Sequence, residues 1–382
     1  MSECLIPKEI NDKISENKGE KLRMKKLLFA AYSLDLGGIE KALVTLVNKL
    51  QEKEYEITIV LEKKQGIFLE ELNKNIQIIE YRPSENKNKL KRKITNLFKR
   101  IKFIREYKNK FDFSACFATY SNVAAFVART ASKNSALWGH ADYTTLYQNN
   151  IKEVKQFFQE KKYQKFKHII FVSQEGKNAF IKIFPKMEER TIVCNNLIEY
   201  KKIKELAEES VDWKKDKNKV TFVNVGRHEE RQKKLTRLIR AAKKLKENKQ
   251  QFQILLIGDG PDHQKYQKMV EKEKLEDVIS FLGKKKNPYP YFKLADCMIL
   301  TSEYEGYPVV FLESFILNRP IITTKVSDYK EVENQYGIVT EKNEKSIYEA
   351  MKTFIEKGFT MQTKFDANQY NEEIIKKLEQ IF

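Results

Sequence analysis

The sequence predicts an α/β protein made of two Rossmann-like domains, each with a doubly wound parallel sheet, that face a central cleft. Short apolar segments of strand character alternate with segments of helical spacing, which is the pattern of βαβ units. The alternation stops over residues 199–219, a charged stretch without a strand, and then restarts. The length of 382 residues also exceeds the size at which a single core usually stops growing. Ligands of such sheets bind beyond the carboxyl ends of the strands, so the cleft is the expected site.

The first half of the chain contains a series of strand candidates and an amphipathic helix. In the helix, apolar residues recur at positions 39, 42, 43, 46, 47 and 50, which places them on one face. The strand candidates are residues 27–33, 55–62, 75–81, 113–119, 135–140, 168–173 and 190–195. These elements predict a first domain over residues 25–198, and the polar residues 1–24 are interpreted as a flexible N-terminal extension.

The second half repeats the alternation after the linker at residues 199–219. Strands are predicted at residues 220–226, 251–260, 278–283, 295–302 and 320–324, and helices at 234–248, 261–274 and 309–317. The pattern predicts a second domain over residues 220–360, followed by a C-terminal helical segment over residues 361–382.

Composition limits the classes of partner and of site. The formal net charge of +19 favours an anionic partner, but it does not choose among membranes, nucleic acids and phosphorylated small molecules. The four cysteines and four histidines occur singly, without the spacing of a zinc site or of a disulfide framework. No apolar run reaches the ~18–20 residues that span a bilayer. These features predict a cytoplasmic protein without a structural metal.

Two strand ends of the second half carry basic residues or glycines. The segment VGRHEERQKK (225–234) places Gly226, Arg227 and Lys233 at a strand-to-helix junction. In so basic a chain a single lysine at a helix start is commonly a solvated one, whereas an arginine after a glycine at a buried strand end is harder to explain in that way. The segment IGDGPDHQKY (257–266) resembles a phosphate-binding turn, with His263 where the third glycine of GxGxxG would stand.

The most specific pattern is EYEGYPVVFLESFILNRP (303–320), in which Glu305 and Glu313 stand eight residues apart at the start of a predicted helix. Amides at a helix N-terminus attract anions, and Glu313 lies near enough along the helix to contact a ribose. Position alone equally allows an acid that favours the helix dipole and an exposed glutamate.

This stretch resembles the E-x7-E motif of the family-4 retaining glycosyltransferases, which have the GT-B fold, and its flanks at 287–313 and 318–324 also resemble that family. VGRHEERQKKLTRLI (225–239) is similar to the family's Arg and Lys pair that holds the donor diphosphate. It departs slightly, with five residues between Arg227 and Lys233, so Lys234 is an alternative. The resemblance is collinear over residues 219–350 and is of the bacterial surface-polysaccharide type.

Shorter pieces of the first half resemble the same family. LDLGGIEKAL (34–43) is similar to its glycine loop, which brings Gly37 and Gly38 near the donor phosphate and the acceptor. LWGHADY (137–143) places His140 where the family has an active-site histidine near the transferred sugar. Without these neighbours, a lone histidine after a strand would be a structural residue.

The resemblance implies transfer of a sugar, with retention of configuration, from a nucleotide-sugar donor that we expect to be UDP-linked to a saccharide or lipid-linked saccharide. Arg227 and Lys233 would stabilise the leaving diphosphate, Glu305 would contact the donor sugar and Glu313 the ribose. The other expected donor-binding residues are Gly37, Gly38, Gly226, Gly306, Tyr307, Pro308 and Val309. The nucleotide sugar is a substrate, so no cofactor is expected. The sequence has no Asp-x-Asp, so we expect no metal either.

Residues 87–105 hold nine lysines and arginines and an apolar stripe at helical spacing. The stripe consists of Leu90, Ile94, Leu97, Phe98, Ile101 and Ile104. A basic amphipathic helix is typical of attachment to an anionic membrane surface, here the inner face of the plasma membrane. The alternative, which is compatible with attachment, is a helix that covers the sheet with this stripe and exposes its basic residues. Residues 154–168 are a second basic and aromatic stretch.

Two other functions are compatible with parts of the sequence. A nucleotide-sugar epimerase would share the two-domain architecture, but the segments at 34–43 and 303–320 favour transfer. A basic nucleic-acid-binding protein would explain the charge, but the sequence contains no zinc finger, RRM signature or helix-turn-helix pattern, so no nucleic-acid partner is expected.

Overall fold

The computed structural model describes residues 23–35 and 37–382, and it contains two parallel sheets with helices on both faces. The predicted N-terminal extension over residues 1–24 lies almost entirely outside the described residues. The two-domain α/β prediction is confirmed, and each sheet has a doubly wound strand order.

The first sheet has seven parallel strands in the order β3-β2-β1-β4-β5-β6-β7. The strands are β1 (Lys26–Ala31), β2 (Glu56–Leu61), β3 (Gln77–Glu80), β4 (Phe113–Cys116), β5 (Ser135–Gly139), β6 (His168–Phe171) and β7 (Thr191–Val193). Its helices are α1 (Gly38–Glu52), α2 (Lys89–Tyr107), α3 (Asn122–Ala131), α4 (Tyr143–Leu146), α5 (Ile151–Glu160) and α6 (Gln174–Ile183). Both faces of its central strands are covered, which explains their continuous apolar sequences.

The second sheet has six parallel strands in the order β10-β9-β8-β11-β12-β13. The strands are β8 (Val220–Val225), β9 (Phe252–Ile257), β10 (Ile279–Gly283), β11 (Cys297–Leu300), β12 (Ile321–Thr324) and β13 (Gly337–Thr340). Its helices are α8 (Glu230–Lys233), α9 (Leu235–Glu247), α10 (His263–Lys272), α11 (Tyr289–Leu294), α12 (Val309–Ile316) and α13 (Glu344–Lys357), and α7 (Tyr200–Leu206) lies in the linker. The predicted strands all occur, and β13 was not predicted because GIVT is too short to show a period.

The last helix, α14 (Ala367–Glu379), packs back onto the first domain. The Asn371 Oδ1 accepts a hydrogen bond from the Ile198 main-chain N–H at 3.0 Å, and its Nδ2 donates to the Ile198 carbonyl at 2.9 Å. The ring of Phe382 lies 4.9 Å from that of Phe113 on β4. The segment predicted as a C-terminal helix therefore completes the domain from which it is farthest in sequence.

Helix α2 presents its apolar stripe to the outside. Leu90 is 67% exposed and Phe98 is 66% exposed, and the other four residues of the stripe are exposed as well. Phe103, on the opposite side of the helix, is the residue that is buried, against Tyr81 and Phe126. The alternative of a stripe that covers the sheet is therefore wrong, because the helix touches the domain through its other side.

The second basic stretch, residues 154–168, behaves differently. Val154 and Phe158 of α5 are buried, and Tyr163 and Phe166 are buried beyond it. Its aromatic residues thus belong to the core of the first domain, and the residues it exposes are lysines, glutamines and one glutamate. Among the helices of the described residues, none combines the length and the apolar character that crossing a membrane requires.

Candidate active site

A buried ion pair joins two strand ends of the second sheet. The Lys233 Nζ lies 2.7 Å from the Glu305 Oε1, and Glu305 is 8% exposed. Lys233 closes the helical turn after β8, and Glu305 follows β11, its neighbour in the sheet. The strand order reverses direction between β8 and β11, which is where doubly wound sheets bind their ligands. Lys234, the alternative partner, adopts a left-handed φ of 50° and precedes α9.

Three polar side chains hold Glu305 in place. Ser302 Oγ donates to the Oε1 at 2.6 Å, and Gln232 Nε2 donates to the Oε2 at 3.1 Å. Ser327 Oγ donates to the Glu305 main-chain carbonyl at 2.7 Å. A buried carboxylate with this many donors is fixed in position, which is the arrangement expected of a group that must meet a substrate in one geometry.

Sequence reasoning did not identify these supporting residues. Gln232 lies in the segment 225–234, but its contact with Glu305 spans 73 positions. A local sequence pattern does not reveal a contact between residues so far apart in the chain. Short polar residues such as Ser302 and Ser327 are also common at strand ends. Only the adjacency of β8, β11 and β12 explains why they meet.

Two glycine-containing turns stack directly on each other below the ion pair. A Cβ on Gly258, whose φ is +143°, would lie 1.8 Å from the Gly226 carbonyl oxygen. Only glycine allows this approach, so the turn resembling GxGxxG contacts the turn after β8. Next to it, the His228 and His263 rings are parallel with their Nδ1 atoms 2.7 Å apart.

Arg227 is placed differently from Lys233. Its side chain is 68% exposed, and its Nη1 lies 3.4 Å from the Glu229 Oε2. The two predicted diphosphate ligands therefore leave the same strand end, with Lys233 held in the buried ion pair and Arg227 exposed to solvent. At this exposure the contact with Glu229 contributes little to stability.

The two domains make a very close contact at Gly306. A Cβ on Gly306 would lie 2.2 Å from the His140 carbonyl oxygen and 3.5 Å from the Ala141 Cα. Only glycine fits without a movement of one domain. Glu305 is thereby brought beside the end of β5, so the predicted sites of the two halves form one region.

The imidazole of His140 is partly buried and has one defined partner. Its Nε2 lies 2.9 Å from the Phe117 carbonyl oxygen, and its ring packs on that of Phe117 at 4.6 Å. Burial lowers the pKa of His140 to about 4, so the ring is neutral at pH 7. A carbonyl can only accept, so the Nε2 carries the proton and the Nδ1 is left as an acceptor.

The glycine loop of the first domain lies at the start of α1. Gly37 is the N-cap with an extended φ of −173°, and a Cβ on Gly38 would meet no atom within 4 Å. A Cβ on Gly37, by contrast, would lie 2.2 Å from the Glu40 Oε2, so the start of this 15-residue helix is bordered by a carboxylate on one side. Leu36, within the same loop, lies outside the described residues.

The remaining predicted residues surround the start of α12. Pro308 is its N-cap and Val309 its first residue. Tyr307 is buried, and its hydroxyl donates to the Glu331 Oε2 at 3.2 Å and accepts from Tyr370 of α14, also at 3.2 Å. Any contribution of Tyr307 to donor binding must therefore come from its main chain.

Glu313 is partly buried, rather than exposed as the alternative interpretation of the helix allowed. The Tyr289 hydroxyl donates to its Oε1 at 3.1 Å. Burial raises the pKa of Glu313 to about 7, so close to neutral pH both the acid and the carboxylate are populated. Within residues 23–35 and 37–382, no group of three or more His, Cys, Asp or Glu side chains is arranged to hold a metal.

The part of the chain that contains this site is similar to a known protein family. Residues 205–372, which contain Arg227, Lys233, Glu305 and Glu313, match the family model of the glycosyl transferases group 1. This part of the chain is a group 1 glycosyltransferase domain. The match begins at the end of the linker helix α7 and covers the whole second sheet, so the ion pair lies within the matched region.

Known glycosyltransferases match this chain over different lengths. The uncharacterized glycosyltransferase MJ1059 of Methanocaldococcus jannaschii is 31% identical over 168 residues, which are 43% of this chain and 41% of that protein, so less than half of it is matched. The N-acetylgalactosamine-N,N'-diacetylbacillosaminyl-diphospho-undecaprenol 4-alpha-N-acetylgalactosaminyltransferase of Campylobacter jejuni is 26% identical over 343 residues, 87% of this chain and 91% of that protein.

The fold of the complete chain is also similar to solved structures. The crystal structure of Anabaena HepE in complex with UDP and glucose aligns with 93% of this chain and 99% of its own at a TM-score of 0.70 and 18% identity. The structure is therefore of the GT-B type, with the group 1 domain as its second half.

Proposed function

We propose that this glycosyltransferase transfers a sugar from a UDP-linked donor to a saccharide or lipid-linked saccharide, with retention of configuration and without a metal ion. The observation that carries the proposal is the Lys233–Glu305 pair at the carboxyl edge of β8 and β11, in close contact with the His140 region through Gly306. In support, HepE was solved with UDP and glucose, and the Campylobacter relative is named for a diphospho-undecaprenol substrate.

The basic residues stabilise the negative charge that develops during the reaction. When the bond between the anomeric carbon and the phosphate oxygen breaks, negative charge builds up on the departing diphosphate. An ammonium has three N–H donors, and Glu305 accepts from one of those of Lys233. The others are available to phosphate oxygens, and the exposed guanidinium of Arg227 binds the same group from the same strand end. Fixed donors aimed at developing charge lower the barrier most.

His140 and Glu305 border the position of the transferred sugar. The free Nδ1 of a neutral His140 accepts from a sugar hydroxyl, and the carboxylate of Glu305 accepts from another. Glu313, held by Tyr289 about one turn into α12, accepts from the ribose. The leaving phosphate itself takes the proton of the attacking hydroxyl, as in a front-face retaining reaction.

The metal-free part of the proposal rests on the chemistry of these residues. Two cations, Lys233 and Arg227, leave one strand end toward the place where a divalent ion would otherwise neutralise the diphosphate. Together these two cations supply positive potential without a carboxylate pair to hold an ion.

Helix α2 supports attachment to an anionic membrane, and with it a role in cell-surface polysaccharide synthesis at the inner face of the plasma membrane. Its exposed stripe, defined above, is bordered by lysines and arginines, and no acid lies in its first turn. An apolar stripe of this size costs free energy in water and gains it in the headgroup region. Lysine and arginine then add about 1 kcal/mol each against anionic lipids.

A donor screen tests the proposal. The purified chain is given a panel of UDP-, GDP- and TDP-sugars with a bacterial lipid extract, and release of nucleoside diphosphate is measured with and without the extract. Acceptor-dependent release from a UDP-sugar, and a product with the anomeric configuration of the donor by NMR, are the expected results. Conversion of the donor sugar without an acceptor would instead identify an epimerase, and an inverted product would refute retention.

A further inference from the structure

Two tyrosines form an aromatic platform at the carboxyl edge of the first sheet. Tyr32 directly follows β1, and Tyr120 lies just beyond β4, the adjacent strand. Their rings are 6.3 Å apart and inclined by 58°, and Tyr120 is 48% exposed. A large aromatic ring left open to solvent at the ligand-binding edge of a doubly wound sheet has no role in the core.

The carboxylates of Glu40 and Glu62 lie beside this platform. The Tyr120 hydroxyl donates to the Glu40 Oε1 at 3.0 Å, which fixes the carboxylate in the first turn of α1 beside Gly37. Glu62, at the end of β2, accepts from Ser121 next to Tyr120. Lys63 is the nearby cation, and its Nζ lies 5.3 Å above the ring of Tyr32.

This chemistry selects for one class of ligand. A carboxylate accepts hydrogen bonds from hydroxyls but repels phosphate, and the face of a tyrosine ring is electron-rich and attracts the polarised C–H groups of a sugar. The platform therefore suits a neutral, hydroxylated ring and disfavours an anionic one. It differs in this respect from the strand ends of the second domain, where Arg227 and Lys233 favour phosphate.

The platform also lies at the right place for an acceptor. Strand β4 lies between β1 and β5, and β5 ends at His140, opposite Gly306. Neighbouring strands are about 4.8 Å apart, so the loop after β4 that carries Tyr120 begins next to the end of β5. A sugar ring on Tyr120 can thus present a hydroxyl toward His140 while the donor occupies the second domain.

We propose that Tyr32 and Tyr120 form the acceptor subsite, on which the terminal, uncharged sugar ring of the acceptor stacks while Glu40 accepts its hydroxyls. The inference rests on the proposed function and assigns its acceptor a chemical class. The phosphate of a lipid-linked acceptor then has to lie elsewhere, because Glu40 and Glu62 exclude it from the platform.

The test compares Tyr120→Ala with Tyr120→Phe. Loss of the ring raises the KM for the acceptor by about tenfold, which corresponds to the free energy of one aromatic contact. Tyr120→Phe keeps the ring and raises that KM less, and the donor KM does not change in either variant. Thermal unfolding of both variants checks the fold, which a half-exposed side chain affects little. An unchanged acceptor KM in a folded Tyr120→Ala overturns the proposal.

A second measurement separates this proposal from the proposed function. Ligand-observed NMR records binding of neutral methyl hexosides and N-acetylhexosaminides, and of glucose 1-phosphate, to the full chain. Binding of a neutral glycoside that Tyr120→Ala abolishes supports the platform even if no donor is ever turned over. No binding of any glycoside, or tighter binding of the sugar phosphate than of its neutral counterpart, refutes it.

Discussion

The carboxyl groups of Glu175 and Asp328 face each other across the boundary between the two domains. Glu175 lies in the first turn of α6, and Asp328 follows β12 with a left-handed φ of 57°. The Glu175 Oε2 and Asp328 Oδ2 are buried and have no donor among the described residues. Burial first, and then the charges of Glu175 and Glu331, raise the pKa of Asp328 to about 8. A single proton shared between the two carboxyl groups gives both of these oxygens a hydrogen bond.

We therefore expect stability to fall as the pH rises. A folded pKa above the ordinary value of 3.8 means that the folded state binds the extra proton, so stability is full below about pH 4 and is lost as the pH rises through about 8. Asp328→Asn removes this titration and tolerates the left-handed backbone. At pH 9 the variant should be more stable than the wild type by about 1–3 kcal/mol.

Thermal unfolding at pH 5 and pH 9 measures this difference. Glu189→Gln, at an exposed position, is the matched control and should follow the wild type at both values. If the gain of Asp328→Asn is no larger at pH 9 than at pH 5, the two carboxyl groups do not share a proton.

Substitution of the ion pair should separate folding from catalysis. Lys233→Met leaves the carboxylate of Glu305 buried without its partner, which typically costs about 3–5 kcal/mol. Adding Glu305→Gln to it removes that charge and should restore most of the stability. Turnover should stay about 100- to 1000-fold low in both variants, because the charge that stabilises the leaving group is missing. Denaturant unfolding and nucleoside diphosphate release are compared, and an active double variant would contradict the assigned role.

Gly306→Ala should damage the reaction through the domain contact. The added methyl would lie 2.2 Å from the His140 carbonyl oxygen, so the second domain has to move away from the first. A displacement of about 1 Å in an active site can cost about 100-fold in rate. Gly38→Ala is the comparison for folding, since its Cβ meets no atom within 4 Å and alanine is favoured in a helix. Steady-state kinetics of Gly306→Ala at wild-type levels would show that the contact is not needed.

Activity should survive an excess of EDTA. Lys233 and Arg227 supply the charge that a divalent ion would otherwise bring to the diphosphate. The measurement is the initial rate after dialysis against the chelator, with and without added Mg²⁺ or Mn²⁺. Loss of activity that either ion restores would show that a metal takes part.

Helix α2 should hold the protein on anionic vesicles. Replacing Lys91, Lys93 and Lys102 by Gln should weaken binding to phosphatidylglycerol vesicles by roughly 100-fold, at about 1 kcal/mol for each lysine. The same change at Lys265, Lys268 and Lys272, which are exposed on the second domain, is the matched control for total charge. Co-sedimentation measures both.

A further pair of changes isolates the apolar contribution of the same helix. Leu97→Gln with Phe98→Gln should weaken binding even at high salt, where electrostatic attraction is screened. Because both residues are exposed, the fold should not be affected. Equal binding of all these variants would place the attachment surface outside α2.

Sequence patterns predicted those features of the molecule that depend on residues close together in the chain. Buried parallel strands must be apolar on both faces, so β1, β8 and β11 are visible as short apolar runs, and strand ends in such sheets locate the site. The assignment of Lys233 and Glu305 to one site follows from this rule, together with the family resemblance.

Other parts depend on contacts between distant segments. The period of α2 indicates an apolar face but not whether a neighbour covers it, and the structure leaves it open. That Lys233 pairs with Glu305, 72 positions away, follows only from the adjacency of β8 and β11. The packing of α14 on the first domain has no signature in its own sequence, which is an ordinary amphipathic helix.

The return of α14 to the first domain sets an order of events during synthesis. The Asn134 amide donates to the Ile381 carbonyl at 2.6 Å across 247 positions of the chain. At about 5–20 residues per second, the ribosome needs about 12–50 s to make the intervening residues. Throughout that time Phe113 at the start of β4 lacks the cover of Phe382, so the packing of the first domain stays incomplete until α14 has been made.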